Sequence, residues 1–444
     1  MRRLSFILVL AFTLFASLAA QAAPVLMISI DGLRPADVID AGKRGFAAPH
    51  LQALMREGAY ATGVVNVLPT VTYPNHTTLI TGVRPAIHGI SDNTTFDPLH
   101  KNDGGWYWYA SDIKAPTLWD AVHQNGEGVA SLGWPVSAGA RSIDWNIPEI
   151  WRTRTPDDLK LVEALSSPGL VGELEMATGL PLAALGSEEA QSDVARAKFA
   201  AALIAAKHPE FMTLHLVSLD HFEHETGPGS DKAKATLAVI DGAVGDLIAA
   251  ARQAEPAIVI AIVSDHGFAP VSTDTNLMIA FIEAGLIQYD ADRHQVTSWD
   301  AEPWGAGGSA AIVLSRPDDK TLQQKVAALL KKLAADPSTG IDAVYDKNEI
   351  EKRGGAREAS FWVDFKPGFD IGYKLEGPLE TPSKVMGNHG FSPDHKEMRA
   401  SFFIVGLGIP KARNLGEINM RDIAPTVAKI MNVPFPSAKG KPLF

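Results

Sequence analysis

The chain has 444 residues, 46% of them hydrophobic and 20% charged, enough to bury the core of one large domain or of two to three ordinary ones. Its formal net charge of −11 argues against a tightly held nucleic acid polymer, which needs a basic footprint. Zero cysteines exclude disulfides, a lipidated N-terminal cysteine and every thiolate metal site, so a tight transition-metal site has to use histidine and carboxylate.

Residues 1–22 read as a secretory leader. Arg2 and Arg3 form a basic start, 6–18 is apolar, and Ala20-Gln21-Ala22 fits a small-x-small cleavage site. The apolar stretch is too short to prefer as a membrane anchor, and no other segment reaches the roughly 18 apolar residues of a span. Cleavage removes two positive charges and takes the net charge from −11 to −13. The expectation is an exported protein, periplasmic or secreted, without a stable membrane anchor.

Val25–Ile30 is a continuous apolar run, read as a buried strand ending in Asp31-Gly32. Pro49 opens a helical pattern through Leu51, Leu54 and Met55 that Gly58 stops. In Pro69-Thr70-Val71-Thr72-Tyr73-Pro74-Asn75-His76, a turn is predicted at Pro74-Asn75 and a helix from Thr77. A helix opening at Pro116 precedes a short strand at 128–132. Further strands are predicted at 211–219, ending at Asp220, at 257–263, ending at Ser264-Asp265-His266-Gly267, and at 400–405. A helix over 232–254 lies between the first two. The alternation implies an α/β domain with a mostly parallel central sheet flanked by helices. Stretches near 134–209 and 277–386 read as cap or lid insertions in a single domain over 23–444.

Ligands of such sheets gather outside the carboxyl ends of the strands. Asp31, Asp220 and the Asp265-His266 pair are therefore expected on one rim. Asp220 and His224 are four apart, which puts them on one face of a helical turn. Gly267 permits a turn through which Asp265 and His266 both reach a metal. Gly387-Asn388-His389-Gly390 supplies another histidine. Three aspartates and three histidines around the Thr72 hydroxyl form the inventory of a two-metal hydrolase with an alcohol nucleophile. A helix start near Thr72 would also turn backbone N–H groups toward an anion.

These segments, together with Thr81-Gly82, His88-Gly89-Ile90, Asn93 and Gly227-Pro228, resemble the nucleotide pyrophosphatase/phosphodiesterase family of the alkaline phosphatase superfamily. The resemblance runs in order from about Val25 to the C-terminus. It implies an alkaline-phosphatase-like fold and two zinc ions. Asp31, Asp265 and His266 would hold the zinc that activates Thr72; Asp220, His224 and His389 would hold the second, beside the leaving group. Thr72 would be the nucleophile, through a phosphothreonine intermediate. Asn93 would bond a phosphoryl oxygen together with the Thr72 backbone N–H. The implied reaction is hydrolysis of nucleotide phosphodiester and pyrophosphate bonds, with a small-molecule diester or nucleotide as partner. The Cys/Ser-x-Pro-x-Arg setting of sulfatases is missing, and no second Lys or Arg phosphate clamp is recognisable, so diesters are favoured over monoesters.

Tyr73, next to Thr72, is expected to touch the substrate by stacking on a base or a choline-like group. His76 and His88 are expected to brace the local turn, and His215 to be a satisfied core histidine. Two rival readings are a glycerophosphocholine-type head-group phosphodiesterase and a non-catalytic phosphate-binding protein on the same fold. The intact Thr72 and full ligand set argue against the second.

Overall fold

A computed structural model describes residues 22–102, 105–151 and 155–444; the expected leader lies outside them except for Ala22. Five parallel strands form one side of an eight-stranded sheet, out to its edge. They are β1 (Val25–Ile30), β2 (Val129–Leu132), β3 (Trp145–Ile147), β4 (Phe211–Leu216) and β5 (Val259–Val263), side by side in the order β5-β1-β4-β2-β3. β6 (Phe402–Val405) runs antiparallel beside β5 and is followed by the edge strands Ala59–Tyr60 and Arg413–Asn414. This is the α/β architecture with a mostly parallel sheet that the alternating pattern predicts.

Every residue of β1 is buried, because helices cover both faces of the sheet. Alternation sends Leu26, Ile28 and Ile30 into one core and Val25 and Met27 into the other. The first core is closed by α2 (Ala190–Lys207) and α4 (Asp231–Ala254), through residues such as Phe199, Leu203, Leu237 and Val244. The second is closed by α1 (Thr72–Thr81), through Leu79 and Ile80, and by the helix Ile423–Ile430. A separate four-stranded antiparallel sheet has the order Ala301–Gly305, Ser309–Leu314, Ala359–Phe365, Ile341–Asp346. It shares a core with the helix Lys320–Ala334, through Leu322, Val326 and Leu330. Among the described residues no helix is long and apolar enough to cross a membrane.

Two boundaries differ from the sequence expectation by more than two residues. The helix predicted from Thr77 begins at Thr72 and runs through Pro74. A proline in the first turn gives up only an N–H that has no intrahelical acceptor, so the Pro74-Asn75 pair does not have to be a turn. The strand predicted over 211–219 stops at Leu216, and α3 (Ser218–Thr226) starts almost at once. Asp220 therefore sits in the first turn of a helix and not at the end of a strand. A short apolar run does not by itself separate a buried strand from a buried helix start.

Candidate active site

The site forms where β1, β4 and β5 end. Asp31 directly follows β1, and its N–H still bonds Leu216 O at 2.9 Å. Gly32 then turns the chain away at φ 72°, and its N–H bonds Asp265 Oδ1 at 3.3 Å. A side chain at Gly32 would be strained at that φ and would press on the Phe268 ring at 3.0 Å.

α3 carries Asp220 and His224, and its start is fixed from outside. The fully buried Asp193 of α2 accepts from Val217 N (3.1 Å), Ser218 N (2.9 Å) and Ser218 Oγ (2.5 Å), and pairs with Arg196 Nη1 at 2.6 Å. It supplies the acceptors that the first turn of α3 lacks and places a negative charge at the helix N-terminus. The sequence reading missed this residue.

Thr72 is the first residue of α1, and its hydroxyl lies 3.4 Å from His266 Nε2. His76 bonds Thr72 O through Nδ1 (2.9 Å) and Ser29 Oγ through Nε2 (2.8 Å). His88 bonds Thr78 Oγ1 at 3.1 Å and accepts from Ile90 N at 3.2 Å. With both ring nitrogens engaged, the two histidines brace the turn, as expected.

The six expected ligands come together. His266 Nε2 is 3.0 Å from Asp265 Oδ2, 3.4 Å from Asp31 Oδ1 and 4.0 Å from Asp220 Oδ1. His389 Nε2 is 3.6 Å from Asp220 Oδ1, and His224 Nε2 is 3.5 Å from Asp220 Oδ2. In each histidine the other nitrogen faces a backbone carbonyl. The Nδ1 atoms of His266, His224 and His389 meet Gly267 O at 3.2 Å, Gly387 O at 3.0 Å and Thr70 O at 3.1 Å. A carbonyl only accepts, so Nδ1 carries the proton and Nε2 is left as a lone-pair donor to a metal.

Asp31 Oδ1, Asp220 Oδ1 and Asp265 Oδ2 are buried and have no hydrogen-bond partner among the described residues. Converging buried carboxylate oxygens without donors are costly unless a cation is held among them. The arrangement fits divalent metal ions. Among the described residues, two groups here have ligand atoms mutually within 4.8 Å: Asp31, Asp265 and His266, and Asp220, His266 and His389. His266 thus borders both positions, whereas the sequence reading gave it to one. A third group, Asp342, Asp364 and His395, shares no residue with these two; in it the Asp364 oxygens are already engaged by Ser392 N and His395 Nε2.

Without a cation this cluster is electrostatically frustrated. Burial, with the Asp265 and Asp220 charges, pushes the Asp31 carboxyl well above its ordinary range. Burial also opposes ionisation of Asp265, yet His266 and His76 hold it below the ordinary carboxylate range. Burial opposes protonation of His266 too, but Asp265 and Asp31 raise it to about 9. Burial and the neighbouring His266 push His389 well down.

Asn93 accepts from Tyr73 N at 2.8 Å through Oδ1, which leaves Nδ2 as its donating end beside the first turn of α1. Tyr73 itself corrects an expectation. Its side chain has no exposed surface, its hydroxyl donates to Glu149 Oε1 at 3.0 Å, and its ring packs edge-on to Trp106 and Trp108. A ring enclosed in this way is an anchor, not a stacking platform for substrate. His215 is satisfied, as expected, by Asp31 through Nε2 and by Glu149 and the Gly133 carbonyl through Nδ1.

A family model described as type I phosphodiesterase / nucleotide pyrophosphatase matches residues 25–392. An uncharacterized pyrophosphatase/phosphodiesterase of Schizosaccharomyces pombe is 24% identical over 436 residues, 92% of this chain and 77% of that one. Human ectonucleotide pyrophosphatase/phosphodiesterase family member 1 is 26% identical over 257 residues, 55% of this chain but 23% of that one. The chain therefore matches most of the length of the first relative and about a quarter of the second. Among solved structures, human ectonucleotide pyrophosphatase/phosphodiesterase 5 superposes with a TM-score of 0.65 at 20% identity, covering 94% of this chain and 97% of that one. An inactive threonine-to-alanine form of the murine protein, in complex with AMP, gives 0.66 at the same identity and coverage. The likeness shows that the fold is of the alkaline-phosphatase type.

Proposed function

The chain belongs to the type I phosphodiesterase / nucleotide pyrophosphatase family, and we propose that it is a two-zinc phosphodiesterase hydrolysing nucleotide phosphodiester and pyrophosphate bonds. One observation carries the reading: three carboxylate oxygens without a hydrogen-bond partner among the described residues converge with three inward-facing Nε2 atoms beside the Thr72 hydroxyl at a helix start. Asp31, Asp265 and His266 would hold one ion together with Thr72. Asp220, His224 and His389 would hold the other. Histidine and carboxylate donors suit zinc. When bound, the ions supply Lewis acidity, which lowers the pKa of the threonine hydroxyl and neutralises charge on the phosphoryl and leaving oxygens.

Thr72 Oγ attacks phosphorus, and the bond to the leaving oxygen breaks as the phosphothreonine ester forms. Water then attacks phosphorus and frees Thr72. The N–H of Thr72, in a first turn without intrahelical acceptors, and the Nδ2 of Asn93 donate to a phosphoryl oxygen and orient it. A nucleotide as substrate is favoured by the AMP complex of the murine relative. The leader reading makes the enzyme exported, periplasmic or secreted, and the catalytic domain is taken as 23–444 with insertions near 134–209 and 277–386.

The test is turnover by the zinc-loaded protein of p-nitrophenyl thymidine monophosphate against p-nitrophenyl phosphocholine. The expected result is preference for the first. Preference for the second replaces the nucleotide by a choline-type head group. No turnover of bis-p-nitrophenyl phosphate, with AMP still bound, sinks the enzyme reading.

A further inference from the structure

We propose that Glu149 and His215 are positioning residues that fix Asp31 for metal binding, and that Tyr73 ties the same pair to Asn93. The inference rests on the two-metal reading above. A single buried path runs through these residues. Asn93 Oδ1 accepts from Tyr73 N at 2.8 Å, and Tyr73 Oη donates to Glu149 Oε1 at 3.0 Å. Glu149 Oε2 meets His215 Nδ1 at 3.0 Å, and His215 Nε2 meets Asp31 Oδ2 at 3.0 Å. The side chains of His215, Asp31 and Glu149 are 1%, 6% and 6% exposed.

Local structure places each link. His215 lies on β4 in register with Ser29 of β1, so it sits beside the strand that delivers Asp31. Glu149 comes two residues after the end of β3. Tyr73 and Thr72 are adjacent in the first turn of α1. The path therefore joins Asp31, proposed as a metal ligand, to Asn93, proposed as a phosphoryl donor.

A lone carboxylate can rotate and offer either oxygen, or both, to a metal. With Oδ2 tied to His215, Asp31 presents only Oδ1, and it is Oδ1 that has no hydrogen-bond partner among the described residues and lies 3.4 Å from His266 Nε2. Glu149 in turn holds the ring plane of His215, with the Gly133 carbonyl as a second, longer contact of Nδ1 at 3.2 Å. Its second oxygen is held by Tyr73, so it cannot swing away without breaking two bonds. Packing alone does not call for this arrangement, because a well-packed apolar set of similar volume is often as stable as a buried charged one. What the charged set adds is a fixed direction for Asp31, the kind of outer-shell support on which metal affinity depends.

The experiment uses the full chain. Glu149→Gln keeps the shape and an acceptor for Tyr73 but removes the charge; Glu149→Leu removes both. Crystals grown at limiting zinc give anomalous occupancy at each position separately, and chelator competition gives the affinities. Glu149→Leu is expected to lose roughly 10–100-fold in affinity at the Asp31–Asp265–His266 position and little at the Asp220–His389 position. Glu149→Gln, which preserves the packing, is expected to lose several-fold at the same position only. Unchanged occupancy beside Asp31 in both variants, or equal loss at both positions, overturns the proposal. A purely structural Glu149 would lower the melting temperature without this selectivity. A wild-type chain that takes up no zinc overturns the two-metal reading itself, and this inference with it.

Discussion

Glu302→Gln offers a quantitative test of a buried carboxyl in a cavity wall. Glu302 lies on the strand Ala301–Gly305, is 3% exposed, and lines a cavity of about 740 Å³ with Thr94, Phe96, Trp304 and Tyr373. Its Oε2 has no hydrogen-bond partner among the described residues, and Oε1 is 3.9 Å from the exposed His100 ring. Burial, with the nearby Asp97 charge, raises the carboxyl from 4.5 to about 8. Between those values the folded state binds more protons than the unfolded state, so wild-type stability falls as pH rises through the window. The full loss is at most about 5 kcal/mol, reached above pH 8. Glutamine does not titrate there. It leaves a buried amide that costs about 1–3 kcal/mol at every pH, so the change with pH, not the absolute stability, is the measurement. For a chain of this length, the difference corresponds to about 5 °C in Tm. Thermal melts of both proteins at pH 5 and pH 9 check it, since pH effects common to both, metal loss included, cancel in the comparison. A wild-type-minus-variant difference that stays constant, or that moves toward the wild type at high pH, refutes the reasoning and means that Glu302 is ionised and compensated in the folded protein.

Thr72→Ala should lower turnover of p-nitrophenyl thymidine monophosphate by at least about 10³-fold, or about 4 kcal/mol, with metal content still near two per chain; activity like the wild type removes Thr72 from the mechanism. Asn93→Ala, losing one phosphoryl donor, should cost about 10²–10³-fold in kcat with unchanged metal content, and an effect on KM alone would assign Asn93 to ground-state binding. Chelation should inactivate and zinc restore; full activity after verified metal stripping contradicts the scheme. Asp193→Ala removes the acceptors at the start of α3 and leaves Arg196 buried without its carboxylate. A loss of about 3–5 kcal/mol in denaturant melts is expected, together with weaker zinc uptake beside Asp220. A stable variant with normal zinc uptake would show that α3 holds its position without this cap.

The parts of the site that the sequence made legible are those written in local pattern. β1 announces itself by six apolar residues ending in an aspartate, and the Asp220–His224 spacing needs only one helical turn. What was not legible is what one element supplies to another. Asp193 acts on α3 across 24 to 25 residues, and His215 reaches Asp31 across 184. Yet these residues share a feature that a sequence does carry. Asp193 lies on the buried stripe of α2 with Ala197, Ala200 and Ile204. Asp241 lies on that of α4 with Leu237, Val244 and Ile248, and it accepts from His50 N and Leu51 N at the start of the helix Pro49–Glu57. His215 interrupts a fully buried strand between Leu214 and Leu216. A charged or titratable side chain where the period demands an apolar one must find a partner inside the protein, because burial without one is too costly. Tyr73 fails for the complementary reason: its position next to Thr72 suggested contact with substrate, but adjacency along a helix does not fix direction, and successive residues there point about 100° apart. Its direction was set by Glu149, a residue 76 positions away. Interrupted apolar periodicity is therefore a better guide to the supporting residues of such a site than proximity to its motifs.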